Sequence, residues 1–143
     1  MANPVQFFVE NLDFQVPNPI KTKKWLQSVA DSHGHSIGGL SYIFVDDNGL
    51  LPLNEQFLQH DTLTDIITFP HDENGNGSIY GDIYISVERI QENASEFKVA
   101  FQEELRRVMA HGMLHLIGFK DKSAKDQKAM RSAEDAALAL FPA

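Results

Sequence analysis

The sequence contains no cysteine, which excludes a disulfide framework and any metal site with thiolate ligands. No stretch approaches about 18 consecutive apolar residues, so no segment is predicted to span a membrane. Residues 1–10 lack a basic segment leading into a long apolar run, and we interpret them as folded chain and not as a signal peptide. A reducing cytoplasm is the expected compartment.

Basic residues are few, because 12 Lys and Arg stand against 20 Asp and Glu, for a formal net charge of −8. That balance argues against a general nucleic-acid-binding protein, which is usually basic. The charge is unevenly distributed: residues 98–131 contain eight basic and four acidic residues (+4), and the remainder four and sixteen (−12). This locally basic region could attract a polyanion, although a solvated helical face explains the same pattern.

Length and composition suit one globular domain, which we predict over residues 1–143. Hydrophobic spacing predicts strands at 5–9, 40–45, 65–69 and 79–86. It predicts helices at 20–29, 50–58, 87–96, 100–118 and 123–140, with N-caps at Ser86 and Ser123. Gly34, Gly38 and Gly39 are expected to close the first helix, and 46–49 to form a turn. Four strands and about five helices in mixed order indicate an α+β or α/β fold with one sheet.

The strongest chemical signal is a pair of histidines near the end of the fourth predicted helix. His111 and His115 are four residues apart and therefore project from the same helix face. Gly118 allows the chain to turn, and Asp121 could return a carboxylate to the same ion. Two imidazoles and one carboxylate leave a fourth tetrahedral position for water, which is typical of a catalytic zinc site.

The histidine pair alone is a weak signal, since such pairs are more often ordinary surface or core residues. Its surroundings favour a metal, because the pair interrupts an apolar helix in which half-buried imidazoles need partners. We therefore predict one Zn²⁺ held by His111, His115 and Asp121.

The same segment resembles the signature of the YbeY family of bacterial metal-dependent endoribonucleases, which act in rRNA maturation. Further blocks occur in the family's order and spacing, so that the resemblance covers roughly residues 40–125; these blocks are Leu53-Asn54, Asp61-x-x-Thr64-Asp65-Ile66-Ile67-Thr68-Phe69-Pro70 and Gly81-Asp82-Ile83-x-Ile85. The resemblance implies a single α+β domain with a four-stranded mixed sheet, about five helices and a zinc site at the end of a central helix. It also implies single-strand-specific RNA cleavage in rRNA maturation and ribosome quality control, with precursor rRNA and the ribosome as partners.

The sequence departs from the family pattern at two positions. The family usually has a third histidine where this chain has Asp121, ten residues after His111. Aspartate is also a good zinc ligand, so the site is expected to persist with altered charge. The family commonly has an arginine, a natural phosphate contact, where this chain has Leu58. A lysine or arginine of the basic region would have to substitute, or RNA cleavage would be weaker.

The general base is not contained in the motif, because Gly112 stands where metalloproteases of the His-Glu-x-x-His type carry glutamate. The metal-bound water itself, Asp61 or Asp65 could serve, although each aspartate is equally well explained as a turn or cap residue. Lys120, Lys122 and Lys125 could contact the RNA backbone, or they form a solvated loop.

Two other functions fit the same residues. A zinc metallopeptidase-like hydrolase would use a similar ligand set, but the missing glutamate counts against it. A non-catalytic ribosome-assembly factor with a structural metal is compatible with Leu58. In that protein the metal ligands would be needed for folding and not only for activity.

Overall fold

The computed structural model describes residues 4–53, 65–71 and 77–142. Within them the chain forms four strands and five helices: β1 Val5–Val9, α1 Pro19–Ser32, β2 Ser36–Val45, α2 Asp47–Leu53, β3 Ile66–Pro70, β4 Ser78–Ser86, α3 Val87–Phe97, α4 Phe101–Ile117 and α5 Ala124–Ala139. No helix in these residues is long and apolar enough to cross a membrane.

The four strands form one mixed sheet in the order β1-β2-β4-β3. β1 and β4 both lie parallel to β2, whereas β3 runs antiparallel to β4. Alternate residues of a strand point to opposite faces. Tyr42 and Phe44 therefore join the main core, while Ile43 and Val45 join a second, smaller apolar cluster with Leu50 of α2.

Helix α4 lies at the centre of the main core. Its Leu105, Val108 and Met109 are buried among the side chains of α1, β2 and β4. The Tyr42 hydroxyl donates a hydrogen bond of 2.8 Å to the Met109 carbonyl, which fixes α4 to β2. At the far side of the core, Trp25 Nε1 donates to the Ala137 carbonyl over 2.7 Å and holds the end of α5 against α1.

Several local predictions are confirmed. Ser86 and Ser123 cap α3 and α5, because each side chain accepts a hydrogen bond from the backbone N–H three residues later. α4 ends at Gly118, which adopts φ of 125°. The fold is a single α+β domain with a four-stranded mixed sheet, as expected.

Other boundaries were wrong. β2 begins at Ser36 and not at residue 40, so Gly38 and Gly39 lie inside a strand and only Gly34 follows α1. Asp46 caps α2 and residues 47–49 form its first turn, instead of a separate turn. The Asp46 carboxylate accepts a hydrogen bond from the Gly49 N–H, and its backbone carbonyl accepts one from the Leu50 N–H. Turns and helix caps use the same side-chain chemistry, so the local pattern did not separate them. The predicted helix of 50–58 extends beyond residue 53, outside the described residues.

Candidate metal centre

The two histidines of the motif occupy the last two turns of α4. His111 and His115 lie one turn apart, with ring centroids separated by 4.6 Å. The helix ends immediately after them, where the Gly118 N–H donates to the carbonyls of Leu114 and His115. The chain then reverses and brings Asp121 back to the same side of the helix end.

The three predicted ligand atoms converge. The Nε2 atoms of His111 and His115 are 3.0 Å apart, and Asp121 Oδ2 lies 3.2 Å from His115 Nε2 and 3.5 Å from His111 Nε2. A small cation with bonds of about 2.0–2.1 Å in tetrahedral arrangement has ligand atoms about 3.3 Å apart. The spacing therefore fits a single ion, and this His-His-Asp group could hold a metal.

Each imidazole is also fixed through its other nitrogen. His111 Nδ1 donates to the Glu134 carboxylate over 2.6 Å, and His115 Nδ1 donates to the Phe119 carbonyl over 3.0 Å. A carbonyl oxygen cannot donate, so the Nδ1 of His115 carries a proton, and in the neutral imidazole the Nε2 is the atom left to bind a metal. Such second contacts orient histidine ligands and increase their basicity.

Glu134 of α5 is itself held in place by a buried ion pair. Arg107 of α4 binds Glu134 over 3.0 Å and, through its other terminal nitrogen, Asp135 over 2.8 Å. Burial raises the pKa of the Glu134 carboxyl, but the bonds from His111 and Arg107 outweigh burial and the pKa lies below its usual value. Burial conversely lowers the pKa of His111, but the hydrogen bond and charge of Glu134, together with the charges of Asp121 and Asp65, outweigh burial, so the pKa of His111 is raised.

A cavity of about 330 Å³ opens beside this centre. Four carboxylates and two arginines are among the residues that line it. The lining residues are Asp65, Ile66, Glu104, Arg107, Val108, His111, Asp121, Arg131 and Glu134. A second cavity, of about 310 Å³, shares His111, Asp121, Arg131 and Glu134 with it. Both cavities thus border the candidate metal centre at His111 and Asp121.

Two carboxylates in the first cavity differ in their contacts. Asp65, just before β3, accepts a hydrogen bond of 3.3 Å from Asn93. Glu104 is only 6% exposed, and its carboxylate makes no hydrogen bond or ion pair with any described residue. The pKa of each carboxyl is raised, in both cases chiefly by burial, and neighbouring carboxylates raise it further. Opposing this, the pKa of Asp65 is lowered by its own backbone hydrogen bond and by His111, and that of Glu104 by the charges of Arg107 and Arg131.

The remaining predicted site residues are less central. Asp61 and Leu58 lie outside the described residues. Lys120, Lys122 and Lys125 are exposed on the connection from α4 to α5 and on the first turn of α5, and they line neither cavity.

Sequence reasoning missed Glu104, Glu134 and Arg131. A signal for the two acids was present, because each interrupts an apolar stripe of its helix. Glu134 falls between Ala133 and Ala137 in the buried face of α5, and Glu104 next to Leu105 in that of α4. Charged side chains are seldom buried without a partner or a functional reason. No comparable pattern marks Arg131, which reaches the two cavities through the packing of α5.

Close packing around Gly112 is consistent with a motif that has glycine, and not glutamate, at this position. A Cβ atom at this position would lie 2.8 Å from Ile66 Cδ1 and 3.0 Å from two carbons of Ile83. α4 therefore packs too closely on β3 and β4 for a side chain to fit without rearrangement. A glutamate at this position, as in a His-Glu-x-x-His metallopeptidase, would require Ile66 and Ile83 to shift.

Comparison with known proteins gives a consistent picture. The family model described as Endoribonuclease YbeY matches residues 9–141. Endoribonuclease YbeY of Flavobacterium psychrophilum is 52% identical over 134 residues, covering 94% of each chain. The protein of the same name from Christiangramia forsetii is 45% identical over 137 residues, covering 96% of this chain and 94% of its own. The solution structure of a Thermotoga maritima protein matches with a TM-score of 0.68 and 27% identity, over 96% of this chain and 88% of that one.

These matches span nearly the whole chain and include the helix that carries His111 and His115. The resemblance predicted from the histidine motif and the upstream blocks is confirmed, and the chain belongs to the YbeY family of endoribonucleases.

Proposed function

We propose that this protein is a zinc-dependent endoribonuclease that cleaves single-stranded RNA during rRNA maturation and ribosome quality control in the cytoplasm. The observation that carries the proposal is the convergence of His111, His115 and Asp121 in a chain of this family, beside two cavities that His111 and Asp121 line. Relatives of the family carry the name endoribonuclease. Precursor rRNA and the ribosome are the proposed partners.

One zinc ion is the proposed cofactor, because two imidazole nitrogens and one carboxylate oxygen form a donor set typical of catalytic zinc. When bound, such an ion supplies Lewis acidity that stabilises charge on a phosphodiester and lowers the pKa of a nearby water. His111 and His115 are oriented for this ion by Glu134 and by the Phe119 carbonyl.

The protein's own proton acceptor is proposed to be Asp65. It lines the cavity beside His111, and burial raises the pKa of its carboxyl toward the range in which a carboxylate can accept a proton from water. Asp61 stays a second candidate outside the described residues. Lys120, Lys122 and Lys125 are proposed to contact flanking parts of a longer RNA, since they are exposed beside the metal centre.

The test compares cleavage of an unstructured RNA oligomer with cleavage of the same sequence as a duplex. We expect zinc-loaded protein to cut the single strand, to lose activity with a chelator and to regain it on adding zinc. His115→Ala should be inactive, whereas His35→Ala, which alters a histidine outside the metal centre, should match the wild type. Activity that persists in chelator or in His115→Ala would contradict the proposal.

Two further measurements on the same proteins, digestion of an unfolded protein substrate and circular dichroism, separate the two other functions. A metallopeptidase would digest an unfolded protein substrate and leave RNA intact, although the close packing at Gly112 argues against this outcome. An assembly factor with a structural metal would unfold on His115→Ala. A folded but inactive His115→Ala variant, judged by circular dichroism, favours catalysis.

A further inference from the structure

The two cavities beside the metal centre present an electrostatic problem for an RNA substrate. Four of their lining residues carry carboxylates: Asp65, Glu104, Asp121 and Glu134. A single-stranded RNA brings further negative charge with every phosphate. Besides the proposed ion, a protein cation that no carboxylate already neutralises would favour binding there.

Arg107 does not meet that requirement. Its side chain is only 15% exposed, and its two terminal nitrogens are paired with Glu134 and Asp135 at 3.0 and 2.8 Å. It stabilises the carboxylate that orients His111. A phosphate could reach its guanidinium only by breaking these pairs.

Arg131 is placed differently. Its side chain is 65% exposed, and the nearest carboxylate oxygen, Glu134 Oε1, is 3.9 Å away, which is beyond hydrogen-bonding distance. It lines both cavities, together with His111 and Asp121. A strand that passes from one cavity to the other across the metal centre would pass this guanidinium.

We propose that Arg131 binds a phosphate of the RNA backbone where the two cavities meet and so positions the strand at the metal centre. The inference rests on the proposed function. A guanidinium offers a planar fork of N–H donors that matches two phosphate oxygens, and it keeps its charge at any physiological pH. The weak attraction of Glu134 keeps the guanidinium near the site without saturating its donors.

The helix that carries Arg131 also supports the metal ligands. Gln127, Arg131 and Glu134 are spaced so that they share one face of α5. Gln127 Nε2 donates to the Asp121 carbonyl over 3.1 Å, and Glu134 holds His111. One helix therefore fixes the ion's surroundings and the proposed phosphate contact relative to each other. Lys120, Lys122 and Lys125 do not line these cavities.

The test uses zinc-loaded wild type, Arg131→Gln and Arg131→Lys, with Lys128→Gln as the matched control. Lys128 is an exposed cation on the same helix that lines neither cavity. Three quantities are measured: kcat and KM for RNA cleavage, the salt dependence of binding to a non-cleavable 2′-O-methyl RNA of the same sequence, and bound zinc per chain.

For Arg131→Gln we expect kcat/KM to fall about 10- to 100-fold, mainly through a higher KM, as for loss of one charge-assisted contact. The slope of log affinity against log salt should decrease by about 0.7, the value for one phosphate contact on a single strand. Arg131→Lys should restore part of the affinity, and zinc content should stay unchanged. Lys128→Gln should match the wild type.

Three results would overturn the inference. They are an unchanged KM and salt slope in Arg131→Gln, an equal loss in Lys128→Gln, and loss of zinc from Arg131→Gln. The last would mean that Arg131 acts only through Glu134. If the wild type does not cleave RNA, the proposed function fails, but the binding measurement on 2′-O-methyl RNA still decides the role of Arg131.

Discussion

At the scale of single residues, the geometry of the candidate metal centre depends on groups that would not touch an ion bound there. Glu134 accepts a hydrogen bond from the Nδ1 of His111 and is in turn held by Arg107. This leaves the opposite nitrogen of His111 directed at His115 and Asp121. The affinity for a metal should therefore depend on Glu134, which lies 23 positions after His111 in the sequence.

Glu134→Gln is expected to weaken zinc binding by about 10- to 100-fold, the range found for loss of outer contacts to histidine ligands. Competition with a chromophoric chelator measures the affinity. Asp135→Asn is the control, because Asp135 pairs with the same arginine but is exposed and does not touch His111. Equal affinities in Glu134→Gln and wild type would contradict the orienting role.

Glu104 should reduce the stability of the fold at neutral pH. Burial, then the charges of Asp65 and Glu134, raise the pKa of its carboxyl above the ordinary value of 4.5. The folded state then holds this proton more tightly than the unfolded state, so stability falls as pH rises through 4.5 toward the raised pKa.

Glu104→Gln is therefore expected to increase the free energy of unfolding at pH 7 in the presence of chelator, and the gain should shrink toward pH 4. Urea unfolding at both pH values measures it. A variant less stable than the wild type at pH 7 would mean that the carboxylate has a stabilising partner.

At the scale of elements, the parts of the fold that could be predicted are those encoded locally. The apolar spacing of α4, its glycine end and the serine caps of α3 and α5 all lie within a few residues of what they determine. The start of β2 was missed, because its first residues include Gly38 and Gly39 and are held as a strand by pairing with β4. Tertiary contact overrides weak local propensity at such positions.

The residues of the candidate site likewise fall into those that a local pattern predicts and those that only tertiary packing brings together. His111, His115 and Asp121 lie within eleven residues of sequence and were found. Glu134, Glu104 and Arg131 reach the site only because α5 packs on α4 and because α4 lies against β3 and β4. Their positions depend on helix packing, which a short sequence motif does not reveal.

Substitution of Gly112 tests the close packing of α4 on the sheet. Gly112→Val places three carbons against Ile66 and Ile83, and we expect it to lower the free energy of unfolding by about 2 kcal/mol or more. Gly112→Ala should cost less, because one methyl meets the ends of movable side chains and adds helix propensity of about 1 kcal/mol. Urea unfolding measures both, with the exposed Glu103→Ala as control. A wild-type stability for Gly112→Val would contradict the packing.

At the scale of the whole molecule, the ion would join α4 to the connection that leads into α5. Ligands from both sides of Gly118 meet at one point, so binding the ion should favour the folded chain over the unfolded one. The overall charge of −8 adds a general repulsion toward RNA, which makes the few cations near the ion more important.

Removing the metal should therefore lower the melting temperature. With free zinc at about 100 times its dissociation constant, linkage gives about 2.7 kcal/mol of stabilisation, or roughly 10 °C for a domain of this size. Differential scanning calorimetry with and without chelator measures the shift. His115→Ala should show little zinc-dependent shift, and an equal shift in that variant would place the ion elsewhere.

The central claim is that His111, His115 and Asp121 together hold one ion, and the zinc content and affinity of the wild type beside Asp121→Ala test it most directly. The exposed Asp31→Ala serves as control. We expect about one zinc per chain in the wild type and the control, and a much weaker affinity in Asp121→Ala. An unchanged stoichiometry and affinity in Asp121→Ala would contradict the three-ligand site.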